Sequence, residues 1–192
     1  MQLTRPLKRK KDFNRGFSMV EMIVVVAIIG MIGGIMMFNY GQARKSQNLQ
    51  IARDALQSAL RQMQSNSLSG QPYPGGTSAR DYGLKISQTS TAYETFVEQA
   101  GTLTYQTLEA LTLPTAVSVT NLRVTYNGTT TNITDVEIRF FPPFAEVKVT
   151  AKNGGTTLFS EQAVVIVNFD LIYQGTTQTR SLVIDGVSGR ID

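Results

Sequence analysis

Apolar residues run almost unbroken through one early stretch of the chain and then thin to a single stripe. Residues 22–43 carry no charged side chain, a stretch about long enough to cross a bilayer as a helix. Beyond Arg44 and Lys45, apolar side chains recur at Leu49, Ala52, Leu56, Ala59, Leu60 and Met63. Steps of three and four predict an amphipathic helix, with Arg53, Gln57, Arg61 and Gln64 on its other faces. The two patterns join into one helix from about residue 17 to about residue 68, roughly 78 Å long at 1.5 Å per residue. Gly30, Gly33 and Gly34 lower helix propensity within it. Small residues there permit close helix–helix packing, and the same three glycines are the candidate kink.

After the helix the period changes. Residues 69–76, Ser-Gly-Gln-Pro-Tyr-Pro-Gly-Gly, form a loop by composition. Residues 82–87, 93–99, 103–105, 117–126, 136–140, 146–150, 163–173 and 179–184 are rich in β-branched and aromatic residues and read as strands. Turn signals separate many of them: Asn127-Gly128, Asn153-Gly154-Gly155, Gln174-Gly175 and Asp185-Gly186. Val136, Ile138 and Phe140 alternate with Glu137 and Arg139, the period-two pattern of a sheet with one buried face. The expected fold class is α+β: a long N-terminal helix whose second half packs on an antiparallel β domain.

Charge changes the picture at the N-terminus. The 192 residues carry a net +4 and a pI of about 9.4. Six basic residues, Arg5, Lys8, Arg9, Lys10, Lys11 and Arg15, lie in the first sixteen positions against Asp12 alone. From residue 17 onward twelve basic and thirteen acidic side chains leave −1. The basicity is a leader property, which holds that end in the cytoplasm by the positive-inside rule and does not point to nucleic acid. With no cysteine and no histidine, disulfides, thiol nucleophiles, histidine triads and histidine zinc sites are excluded. The remaining acids are scattered. Glu94, Glu98, Asp135 and Glu137 read as solvated strand-face or loop residues, with Glu137 in reach of Arg139 or Lys148. The expectation is no catalytic residue, no metal, no cofactor and no enzymatic activity. Asn127-Gly-Thr and Asn132-Ile-Thr match glycosylation sequons but read as turn residues.

One acid stands apart. Glu21 sits at the start of the apolar run, where a carboxylate is costly in lipid unless paired. A cut between Gly16 and Phe17 would create an α-amino group four residues ahead of it. Gly16, Phe17 and Glu21 together resemble the N-terminus of type IV pilins and type II secretion pseudopilins, with Ser18 and Met19 where such proteins often carry Thr and Leu. The resemblance implies removal of the leader by a prepilin peptidase, N-methylation of Phe17, and pairing of Glu21 with the N-terminal amine of a neighbouring subunit. The expected organisation is a leader (1–16), a transmembrane and assembly helix (17–43), its amphipathic continuation (44–68) and an exported β domain (69–192). It implies a single-pass protein of the bacterial cytoplasmic membrane, its C-terminal domain on the periplasmic or extracellular side. Its partners would be other pilins or pseudopilins.

Weaker features narrow the resemblance. Residues 135–150, with the core Ile-Arg-Phe-Phe-Pro-Pro-Phe, look like the hairpin of H-type minor pseudopilins, the GspH/FimT family. Residues 79–83, Ala-Arg-Asp-Tyr-Gly, and the closing strand, turn and Gly189-Arg190 fit the same family. It implies a minor pseudopilin of a type II secretion pseudopilus. The alternative is a minor type IV pilin in pilus initiation, adhesion or DNA uptake. DNA-uptake members carry a C-terminal Gly-Arg-x-Arg, of which Gly189-Arg190 keeps the first half; on that reading the candidate DNA contacts are Arg180 and Arg190. Here Asp192 replaces the second arginine, and an acid opposes the phosphate neutralisation that supplies most non-specific DNA affinity. Nucleic acid is therefore not an expected partner.

Overall fold

The computed structural model describes residues 17–72, 76, 78–102, 105–163, 165–186 and 188–192. It has an α+β, pilin-like architecture: one helix, α1 (Met19–Ser69), followed by antiparallel strands. The chain divides into two compact units, Met1–Gln42 and Ala43–Asp192.

In the second unit the predicted stripe is buried. Ala52, Leu56 and Leu60 have no exposed surface, and Leu49, Ala59 and Met63 are nearly as enclosed. They form one core with apolar residues of both sheets, since a stripe of this width must bury itself against something. Gln57 is not a bystander on another face. It is half-buried, and its Nε2 donates to the Ile191 carbonyl at 3.1 Å. The helix ends where the Ser-Gly step predicts. Gly70 has a φ of +60°. Its N–H donates to Ser67, and the Gln71 N–H donates to Asn66. This is a Schellman cap, and its left-handed residue is most cheaply glycine.

Eleven strands follow: β1 (Ala79–Ser87), β2 (Ala92–Gln99), β3 (Tyr105–Thr112), β4 (Val117–Tyr126), β5 (Thr129–Asn132), β6 (Asp135–Phe141), β7 (Glu146–Asn153), β8 (Thr156–Gln162), β9 (Val165–Tyr173), β10 (Thr179–Asp185) and β11 (Arg190–Ile191). They make a six-stranded sheet, β3-β2-β1-β6-β7-β8, and a five-stranded sheet, β11-β10-β9-β4-β5. Tyr82, Leu84 and Ile86 of β1 and Val136, Ile138 and Phe140 of β6 face the shared core, as the alternation requires. Asn127-Gly128 and Gly154-Gly155 are two-residue hairpin turns with positive φ throughout, the twist-matched form.

The structure corrects the strand reading at the sheet edges. β3 begins at Tyr105 and runs to Thr112, well past the expected end at 105; residues 103 and 104 lie outside the described residues. β5, β8 and β11 were not expected from the pattern. Each lies at a sheet edge, and neither β5 nor β8 buries an alternating apolar face. The acids are corrected too. Glu98 is buried, and Glu137 pairs with Arg139 and with Lys152, not with Lys148. Both belong to an ionic cluster on the face of the larger sheet turned away from the core.

Candidate functional site

The candidate site is the start of α1. Phe17 and Ser18 precede the helix, and Phe17 is 75% exposed. The Ser18 Oγ accepts the N–H of Glu21 at 3.2 Å, and its carbonyl accepts the N–H of Met22 at the same distance. Ser18 is thus the N-cap, satisfying one of the four donors that a helix start leaves open. Ser-x-x-Glu is the spacing of a capping box, a signal present in the sequence itself.

Glu21 lies in the first helical turn, where the helix dipole favours a negative charge. Its carboxylate has no bonding partner among the described residues. Around it the side chains are apolar and open: Met19, Val20, Met22, Ile23 and Val24 are all at least half exposed. Nothing in the most apolar window of the helix is buried. One carboxylate on an exposed apolar rod can hold one cation brought by something else. Gly16, half of the expected cleavage junction, lies outside the described residues.

Gly30, Gly33 and Gly34 sit within the uninterrupted helix, and a Cβ on any of them would meet nothing within 4 Å beyond the backbone of its own turns. Their face is open to a close-packing neighbour. The two arginines of the DNA reading are not brought together. Arg180 is exposed near the start of β10, opposite Leu171. Arg190 pairs with Asp185 at the other end of that strand, roughly 17 Å away at 3.4 Å per residue. The Arg190 Nε donates to the Asp192 carboxylate at 2.9 Å, so the acid that replaces the expected arginine occupies this one.

Residues 12–37 match the family described as the prokaryotic N-terminal methylation motif. No curated protein and no solved structure matches the chain. The motif takes in Phe17, Ser18, Glu21 and the three glycines. It supports a type IV prepilin-like protein, a structural pilin or pseudopilin processed by prepilin peptidase and anchored through its apolar helix.

Proposed function

We propose that the chain is a minor pseudopilin of the H-type, a structural subunit of a type II secretion pseudopilus. The leader, 1–16, stays in the cytoplasm and is cut off between Gly16 and Phe17. Phe17 is then N-methylated. The domain beyond the membrane lies on the periplasmic or extracellular side, and the apolar half of α1 packs among the helices of neighbouring subunits.

One observation carries this reading. Glu21 is a carboxylate without a partner among the described residues, on the half of α1 whose apolar surface is open, inside a matched methylation motif. In lipid such a group needs a cation, and the freed amine of an adjacent subunit's Phe17 supplies one. The H-type assignment is supported by the β6–β7 hairpin around Pro142 and Pro143 and by the closing β10–turn–β11 with Gly189 and Arg190. The pilus alternative shares the same assembly chemistry and differs in the neighbouring subunits. DNA uptake is disfavoured by the separation of Arg180 from Arg190 and by the Arg190–Asp192 pair.

Removing one member of a buried charge pair commonly costs about 3–5 kcal/mol. Glu21→Ala should therefore leave membrane insertion and the β domain intact while sharply reducing incorporation beside a neighbour. Site-specific crosslinking in cells between helices of adjacent subunits measures this. Crosslinking at the wild-type level would refute the pairing, and the identity of the crosslinked subunits separates secretion from pilus assembly.

A further inference from the structure

The outer face of the six-stranded sheet carries a charged network outside the helix that the proposed function invokes. Between Ala79 and Asp81 the β1–β2 register slips, and Asp81 stands opposite Glu98. A bulge of this kind re-aims a side chain, and here Arg80 and Asp81 join the same cluster. Arg139 of β6 reaches both Asp81, at 3.2 Å, and Glu98, and bonds Glu137 at 2.8 Å. Arg80 contacts Asp81 at 3.5 Å and Glu98 at 3.1 Å, then extends to Glu161 of β8 at 2.7 Å. Lys152 of β7 closes the far side on Glu137 at 3.6 Å.

Gly83 makes room for this. It pairs with Phe96 on one side and Arg139 on the other. A Cβ there would collide with the Phe96 ring and lie 2.6 Å from the Ile138 carbonyl oxygen. The Phe96 ring lies across the glycine, stacked with Tyr105 at 4.7 Å and beneath the Arg139 guanidinium at 5.1 Å. The aromatic layer helps to shield the charges beside it from water.

The network holds four acids, Asp81, Glu98, Glu137 and Glu161, against Arg80, Arg139 and Lys152. One acid is in surplus, and two acids face each other across β1 and β2, an arrangement that destabilises a sheet. Asp81 is the most enclosed of the four, with no exposed side-chain surface. Its Oδ2 receives the arginines, while its Oδ1 is buried with no hydrogen-bond partner. A proton on Oδ1 displaces no existing contact. Among the described residues no group of three or more acids is placed to hold a metal ion, so a proton is the cation that fits.

We propose that this cluster is a proton-operated clasp, in which Asp81 takes up a proton in mild acid and the strands β1, β2, β6 and β8 are held more tightly as a result. Protonation removes the surplus charge and the repulsion with Glu98 and leaves both arginines on the remaining acids. Burial, with the charge of Glu98 added, outweighs the pull of Arg139 and Arg80 and raises the Asp81 carboxyl to about 6. The groups facing it are Arg80 on its own strand, Glu98 on β2, Glu137 and Arg139 on β6, and Glu161 on β8 through Arg80. Lys152 of β7 acts through Glu137.

The sign follows from linkage. A carboxyl raised above its unfolded value binds its proton in the folded state first, so stability rises as pH falls through the raised value. The gain is complete near the unfolded value of ~4. Asp135 acts oppositely: hydrogen bonds from Ser87 and Thr134 hold it below its ordinary range. Its contribution is lost only in stronger acid, below that same value. The chain has no histidine, the side chain that most often titrates between pH 5 and 8.

The test is urea unfolding of the full chain in detergent micelles at pH 7.5 and pH 5, comparing wild type with Asp81→Asn. The wild-type folding constant should rise about tenfold on acidification, and Asp81→Asn should abolish that rise. An unchanged pH response in the variant, or a wild-type stability that is flat or falls toward pH 5, overturns the clasp. Carbon-detected NMR of the Asp81 carboxyl in the wild type decides the matter even where the variant fails to fold. A midpoint near 6 supports the proposal, and an ordinary carboxylate midpoint refutes it.

Discussion

Ser18 and Glu21 divide the work at the start of α1. The hydroxyl of Ser18 takes the Glu21 N–H, and the carboxylate of Glu21 is left without a partner among the described residues. An N-cap serine replaced by alanine typically costs about 1 kcal/mol of helix stability. Ser18→Ala should therefore speed hydrogen exchange at the Glu21 amide by about fivefold, and Ser18→Thr should restore most of the protection. An unchanged rate in Ser18→Ala would mean that the cap is not formed. At this scale the sequence was legible where chemistry is local. Gly16, Phe17 and Glu21 stood out by type and spacing, and the Ser-x-x-Glu cap was present to be read. Glu98 was not legible. Its burial depends on Phe96 and Arg139 meeting across Gly83, and no local pattern in β2 announces partners on β1 and β6.

Elements were legible in proportion to how much apolar surface they bury. The stripe at Leu49, Ala52, Leu56, Ala59, Leu60 and Met63 is as predicted, and so are the β4, β6 and β10 segments that line the core. Edge strands carry little signal in the sequence because pairing with a neighbour, not burial, makes them strands. β3 shows this plainly: Gln-Thr-Leu-Glu-Ala-Leu has little strand propensity, yet it is held along β2. The helix stripe can be tested against its flank. Leu56→Asp places a charge in the core and should unfold or aggregate the β domain. Gln57→Ala loses one bond to the Ile191 carbonyl and should cost about 1 kcal/mol. Thermal melts of the full chain in micelles should therefore show collapse for the first and a shift of a few degrees for the second. Equal effects would contradict the packing.

The whole molecule changes character if the leader is removed. The chain carries +4 as written, and −1 from residue 17 onward. A basic chain thereby becomes a near-neutral one that begins with an amine beside an apolar helix. The fold of the second unit does not depend on that event. Its core is closed by two sheets whose order, β3-β2-β1-β6-β7-β8 and β11-β10-β9-β4-β5, joins strands far apart in the chain. The β9–β10 hairpin was announced by its Gln174-Gly175 turn, whereas the β1–β6 and β4–β9 pairings were not. Long-range pairing is set by the sum of side-chain contacts across a face, and no short motif encodes it. The methylation motif, by contrast, is confined to residues 12–37 and was readable because its chemistry depends on a few adjacent residues.

Processing is the step on which the account rests, and intact-mass analysis of the protein from cells with an active prepilin peptidase measures it directly. The account predicts a mature chain that has lost residues 1–16, begins at Phe17 and carries one added methyl on its terminal nitrogen. A membrane-inserted protein that keeps its leader, or is cut anywhere other than between Gly16 and Phe17, would contradict it.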